Sequence, residues 1–547
     1  MNKRVFTFII FLIGFAALFA VYWWPFLSGT HLGPIDWDWQ WFYRYLSFIK
    51  ESWVHNRLPI FSYLMTPFLA NGETSALYPL NFLMKYLSVI DFIKVNVAIH
   101  YLAGFAGLWL IFDKLKINKK FLLISALIAL FNGNVFAHFY IGHYGWLVYL
   151  LLPLLYAFYL KMNDHWLFPV AIGVLLATGL YEGGQHIVIW FGMFLAVVMI
   201  FDFVSERRGL ASFLKNVALI AIPAALFSLA KLLPSQFLYS GIYDSNSAIL
   251  GGFESWKDIY LCLAKGCFKK IGGEHYKWPL MWWEQYSYIG QLAIVSFIGY
   301  VFWPLKKRGN HEKSLLLAGL MFLLFSYNEV WFYLAKIIPV STIISQRHPS
   351  RLIIIFIFVL SILIPLWLDR LTQKINSLTF RMLVIVALTI FMTVDYTLVN
   401  HTDFKFNEGN YLAKDLDAQY QGWAQPIYQL SNPDKVYTDY KINRLDNSLF
   451  MVVDSAIDYS LTFNSLLVKH HRVNIVAQSS DGKTYRQTDV NNKPVFDLPA
   501  GNYSLTFRDE VYNRRWPLYI SIGSILAFIL ACIISIFWHR KKNEKLH

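Results

Sequence analysis

The sequence predicts an all-α polytopic membrane protein of about twelve transmembrane helices, with a small extracytoplasmic β-rich domain before the last of them. Three observations lead there. Of 547 residues, 56% are hydrophobic and only 15% charged, against roughly 25% charged in soluble domains. Apolar runs recur along the chain, each near the ~20 residues that cross a ~30 Å hydrocarbon core. The basic residues behind the net charge of +14 fall in short clusters between those runs. That is the positive-inside distribution of a membrane protein, not the footprint of a nucleic-acid-binding surface.

The first run, Val5 to Phe26, follows Asn2-Lys3-Arg4 and closes on Trp23-Trp24-Pro25. It lacks the short apolar core and small-residue cleavage site of a signal peptide, so it reads as an uncleaved first helix. Spans then follow at about 87–112, 121–139, 144–160, 167–181, 187–204, 217–238, 287–305, 315–332, 352–368, 382–399 and 517–538. Lys114, Lys116, Lys119, Lys120, Arg207, Arg208, Lys215, Lys306, Lys307, Arg308, Arg370, Lys374, Arg381, Arg540, Lys541 and Lys542 all fall on the N-terminal side, which makes both termini cytoplasmic. Residues 1–399 form the transmembrane domain, and 514–547 the last helix with a basic cytoplasmic tail.

The opposite side receives a long aromatic first loop (28–86), a second long loop (239–286), a short one (333–351) and the hydrophilic segment 400–513. In the first loop, Phe42, Tyr45, Leu46 and Ile49 recur at helical spacing within Trp39 to Trp53. They predict an amphipathic helix lying along the interface. In 400–513, the pairs Asp481-Gly482 and Asn491-Asn492 and the triplet Ala500-Gly501-Asn502 separate short alternating runs, which predicts a β-sandwich in its second half. Three cysteines occur. Cys532 lies in an apolar span. Cys262 and Cys267 share an outside loop and form either a disulfide or two free thiols; no metal-site spacing is present.

Several polar residues stand at the outer mouths of the spans. Asp36 and Asp38 flank Trp37 directly beyond the first span, with Gln40 following. A carboxylate there is a general base for a hydroxyl acceptor, or else a helix cap or a solvated interfacial acid. Arg347 and Arg351 surround Pro349 at a helix start, where guanidinium forks and free amides suit a phosphate; the alternative is snorkelling toward headgroups. Lys231, near the outer end of its span, is a second cation for a departing phosphate or a snorkelling lysine. Glu182, Gln185 and His186 lie in a turn sharpened by Gly183-Gly184, and His138 and His143 flank the preceding turn. These groups suit sugar hydroxyls or a divalent ion, or are plain turn residues. Glu284 is a further acid at the mouth of a span.

There is no Walker loop, dinucleotide fingerprint, zincin helix or nucleophile elbow. No soluble segment is large enough for a sugar nucleotide, so no nucleotide cofactor is expected and an activated donor would come from the bilayer.

The order of motifs resembles the YfhO-type family of bacterial membrane glycosyltransferases, within the GT-C superfamily. The resemblance runs through Asp36 and Gln40, Arg57-Leu58-Pro59-Ile60-Phe61, Phe68-Leu69-Ala70-Asn71 and Tyr78-Pro79-Leu80-Asn81. It continues through Gly142-His143 with Trp146 and Pro153, Glu182-Gly183-Gly184-Gln185, Tyr288-Ile289-Gly290, Arg347 to Arg351, and Leu498-Pro499-Ala500-Gly501. Two departures stand out: Phe61 replaces a usual Trp, and the glycine-rich turn shrinks to Met65-Thr66-Pro67. The resemblance implies a polyprenyl-phosphate-linked sugar donor and a glycan, lipid or protein acceptor outside the bacterial cytoplasmic membrane, with the active site facing outward. It also implies a base at Asp36 or Asp38 and donor-phosphate binding at Arg347 and Arg351. Metal dependence differs among superfamily members and stays open. The alternatives are a transporter or flippase of lipid-linked saccharides, a polymerase or ligase moving whole oligosaccharides, and a non-enzymatic envelope assembly scaffold.

Overall fold

The computed structural model describes residues 3–28, 31–34, 38–54, 74–206, 209–239, 252–265, 284–304, 308–330, 333, 348–403, 410–412, 428–430, 436–442, 449–455, 459–463, 474–486, 488–490, 493–499, 501–508, 518–530 and 534. Within these, helices dominate. Six are long and apolar enough to cross a membrane: Val5–Ser28, Val89–Leu115, Gln185–Ser205, Leu210–Gln236, Pro349–Thr372 and Leu378–Asn400. A seventh span arises if the bent pair Lys119–Leu130 and Gly133–Ile141 counts as one. Shorter apolar helices cover Tyr144–Leu160, Leu167–Tyr181, Gly290–Val301 and Leu518–Leu530. Among the described residues the expected spans fall on helices, and six of these helices have the length to cross a bilayer on their own.

Local chemistry sets the boundaries that matter for the site. Ser88 accepts from Asp91 N–H at 3.1 Å and starts Val89–Leu115, which stops where Lys116 takes a left-handed φ of 59°. Asn132 makes the bend in the seventh span. Its Nδ2 donates to the carbonyls of Ile128 and Ala129, while its Oδ1 accepts from Val135 N–H at 3.1 Å. One side chain therefore closes one helix and caps the next, and the axis turns by 40°.

The Ile353–Thr372 helix is apolar all round as far as Leu368 and almost wholly buried, as expected for a helix enclosed by others. It packs against Leu122–Leu130, Gly290–Val301 and Asn310–Phe325. Val5–Ser28 and Leu378–Asn400 leave most of their surface outside the protein core, and their exposed residues are apolar. Water would not tolerate such faces, but hydrocarbon does.

Polar contacts distinguish the two ends of the helical assembly. At one end Lys114 pairs with Asp164 at 2.8 Å. Asp202 accepts from Ser314 and Tyr159, and Arg370 pairs with Glu312. Arg308 bonds the carbonyls of Tyr300, Val301 and Trp303, and Lys374 lies 5.4 Å from the Trp303 ring. Three of the basic clusters read from the sequence therefore meet at the same end. The turn at Gly142-His143, the turn at Gly183-Gly184, the Glu284–Ile289 segment and the start of the Pro349–Thr372 helix gather at the other.

The first-loop helix is present as Trp39–Val54. It does not simply lie along an interface: Trp39, Tyr43, Leu46 and Ile49 bury one face in the protein core, while Phe42 and Tyr45 are half-buried. Ahead of it β1 (His31–Pro34) pairs antiparallel with β2 (Asn410–Leu412).

Later strands are β3 (Tyr428–Leu430), β4 (Val436–Ile442), β5 (Leu449–Ser455), β6 (Tyr459–Phe463), β7 (Asn474–Ser479), β8 (Thr484–Arg486), β9 (Thr488–Val490), β10 (Lys493–Leu498) and β11 (Gly501–Arg508). They join in the orders β3-β6-β10-β9 and β4-β5-β11-β7-β8. Asp481-Gly482 makes the β7–β8 turn, with Gly482 at φ 86°. Ser479 and Lys483 bond the Asp481 carboxylate and hold it down at about 2. Cys262 is disulfide-bonded; Cys267, Cys532 and Asn491-Asn492 lie outside the described residues.

Candidate functional site

The turn at Gly142 builds the centre of the candidate site. Gly142 has φ 102°, a conformation that costs glycine little. A Cβ there would lie 2.2 Å from the backbone nitrogen of Trp39, so only glycine lets the two segments touch. Trp39 Nε1 donates to Tyr140 O at 3.1 Å and pins the contact. The start of the first-loop helix is thereby set against the end of Gly133–Ile141, and Asp38 meets His143.

Asp38 occupies the cap position of its helix, since its carbonyl accepts from Phe42 N–H at 3.0 Å. Its side chain goes to His143, with Oδ2 at 2.6 Å from Nε2. His143 Nδ1 in turn lies 2.7 Å from His138 Nδ1. The His138 ring stacks on Trp146, with centroids 3.5 Å apart and planes at 15°. Trp146 is fixed from behind: its Nε1 donates to Asn134 Oδ1 at 3.1 Å, and Asn134 Nδ2 donates to Tyr286 O at 3.1 Å.

That last bond brings in the segment carrying Glu284. Arg351 meets Glu284 through both Nε and Nη2, a two-pronged arrangement suited to guanidinium and carboxylate. Its guanidinium carbon lies 5.3 Å from the Trp146 ring centre. His186 stands within electrostatic reach of Arg351, Glu284, His143 and His348. Exposure falls steeply across the group: the Asp38 side chain is 46% exposed, His143 16% and Glu284 3%. Burial pushes the Glu284 carboxyl up, but Arg351, helped by His143 and His348, outweighs it and brings the group below its ordinary range.

Glu182 belongs elsewhere. The turn is sharp as expected, with Gly183 at φ 96°, but the carboxylate faces inward and is fully buried. Oε1 accepts from Asn96 Nδ2 at 2.9 Å and Oε2 lies 2.8 Å from His100 Nε2. Asn96 also contacts Tyr144, and Tyr78 donates to Asn96 Oδ1 at 3.1 Å. Lys231 is buried too, and donates to the carbonyls of Thr74 and Leu180, each at 2.6 Å. Its burial is not the snorkelling arrangement. It ties the returning end of the first loop to the turn at 182, beside the contact that Tyr78 makes.

Of the residues expected from sequence, the structure brings together Asp38, His143, His186, Glu284 and Arg351. It sets Glu182 and Lys231 apart in a sealed network. Gln185 starts its helix half-buried. Asp36, Arg347 and the Gln40 side chain lie outside the described residues, as does the Arg57 to Asn71 stretch. Among the described residues, no group of three or more His, Cys, Asp and Glu side chains is placed to hold a metal ion. The reading missed Asn96 and His100. Their spacing of four on one face of an apolar helix was the available signal, because polar side chains inside a span seek each other.

No model of a known protein family matches this chain, and no curated protein matches it either.

Proposed function

We propose that the chain is an integral-membrane glycosyltransferase of GT-C type. It would move a sugar from a polyprenyl-phosphate-linked donor to a glycan, lipid or protein acceptor outside the cytoplasmic membrane. In this reading both termini are cytoplasmic, the chain crosses the bilayer about twelve times, and segment 400–513 is an outer domain. The observation that carries the reading is a single juxtaposition. An accessible carboxylate (Asp38), an imidazole pair (His143 and His138) and an arginine (Arg351) stand around Trp146, drawn from three distant parts of the chain.

The chemistry is a displacement at the anomeric carbon. The acceptor oxygen forms the new glycosidic bond and its proton passes to Asp38, or to Asp36. The bond from the anomeric carbon to the phosphate oxygen breaks, and the departing polyprenyl phosphate takes the electron pair. Negative charge grows on that phosphate in the transition state, where a positioned cation lowers the barrier. Arg351 spends two of its five donors on Glu284 and keeps the others for such an anion; Arg347 is the second cation of the proposal. His186 and Gln185 would face sugar hydroxyls.

A second reading, a transporter of lipid-linked saccharides, draws on the Glu182–His100 pair, because ionisable groups sealed inside a membrane domain commonly serve transport. One experiment separates the two. Reconstituted protein given a labelled polyprenyl-phosphate hexose and cell-wall glycan should release polyprenyl phosphate one for one with glycosylated product. Movement of the labelled lipid between leaflets without product would instead select the transporter.

A further inference from the structure

Two imidazole nitrogens 2.7 Å apart hold one proton between them. With none, two lone pairs face each other; with two, the hydrogens collide. A carboxylate only accepts, so the 2.6 Å contact to Asp38 puts a hydrogen on His143 Nε2. A neutral His143 then has a bare Nδ1, which must accept from His138 Nδ1–H. His138 Nε2 is left as a lone pair. That nitrogen is buried and has no hydrogen-bond partner among the described residues, a situation a lone pair tolerates better than an N–H does. The stack on Trp146 keeps the His138 ring in place.

From this we infer that His143, backed by His138, is the positioning residue for Asp38. The chain of donors runs one way, from His138 Nδ1–H to His143 and from His143 Nε2–H to Asp38 Oδ2, and assigns the acceptor proton to Oδ1. Among the described residues, Asp38 and His138 touch His143, and Glu284 and His186 lie within its electrostatic reach. Only Asp38 and His138 fix its tautomer. Losing His143 would leave the first-loop acid present but unaimed. The inference deepens the transferase reading and rests on it for its kinetic arm only.

The first arm is spectroscopic. Full-length protein labelled with 15N-histidine in lipid bilayers, with signals assigned by their loss in single variants, should show His143 protonated at Nε2 and bare at Nδ1, and His138 the reverse. A bare His143 Nε2, or an imidazolium at His143, overturns the arrangement. The second arm is kinetic, with the labelled polyprenyl-phosphate hexose as donor. His143→Phe should lower kcat by roughly 10- to 100-fold, a part of the ~10²–10⁴ that a positioned base contributes, with the donor KM unchanged. His143→Gln places an amide N–H near the Nε2 position and should recover activity to within a few-fold of wild type. Wild-type kcat in His143→Phe, or equal loss in both variants, would contradict the positioning role. If the unaltered protein transfers no sugar, the transferase reading falls, while the spectrum still decides the tautomers.

Discussion

His143 and Tyr144 are neighbours in the chain, yet they serve two polar clusters of opposite character. Tyr144 joins Asn96, His100, Tyr78 and Glu182, where both carboxylate oxygens have partners and no side chain of the acid–base pair reaches solvent. His143 joins Asp38 through one carboxylate oxygen, and nearly half of the Asp38 side chain stays exposed. Both clusters contain one carboxylate and at least one imidazole. What separates them is satisfaction: the closed cluster has its hydrogen bonds filled from within, and the open one keeps capacity for something that arrives. A buried acid with every lone pair occupied holds elements together; an acid held on one oxygen only can do chemistry.

Substitutions sharpen this contrast. Asp38→Asn should lower turnover by about 10²–10⁴, which corresponds to roughly 3–5 kcal/mol of barrier. The melting temperature should barely move, as for other accessible sites. Glu182→Leu should do the reverse. Removing one member of a sealed pair costs about 3–5 kcal/mol, so the folded yield and melting temperature should drop, while the remaining folded molecules turn over normally. A stable Glu182→Leu protein would erase the distinction.

The Glu284–Arg351 pair lies between the two extremes, and pH probes it. Because the folded Glu284 carboxyl is held below its ordinary value, its contribution to stability is complete above the unfolded pKa of about 4.3. It fades as pH falls through the lower folded value. The melting temperature of wild-type protein should therefore decline on acidification more steeply than that of Glu284→Gln. Parallel declines would mean that the pair adds no pH-dependent stability. The smallest effect belongs to the far end: Lys114 and Asp164 are both well exposed, and Asp164→Asn should cost no more than about 1 kcal/mol and leave turnover untouched.

Much of the helical organisation was legible because apolar runs and basic clusters obey strong physical rules. The helices stand where the hydropathy put them, and Arg308, Arg370 and Lys374 meet at one end as the charge pattern required. The acid of the first loop and the arginine near 350 were legible as chemistry-bearing types at membrane mouths. Their convergence was not, since it depends on Gly142 touching Trp39, a contact across about a hundred residues that leaves no local mark. Glu182 misled for a related reason. A carboxylate beside paired glycines reads as an exposed turn, and only the polar residues hidden in Val89–Leu115 turn it inward. Lys231 likewise stands near the end of an apolar run, where snorkelling is the usual outcome, yet two carbonyls capture it.

The central claim is that the open cluster reacts while the sealed one supports. The most direct measurement is turnover of a labelled polyprenyl-phosphate hexose per folded molecule for Asp38→Asn, with Asp36→Asn beside it. The account predicts that the Asp38 variant melts like wild type yet loses nearly all transfer. Full transfer by both single variants, each correctly folded, would contradict it.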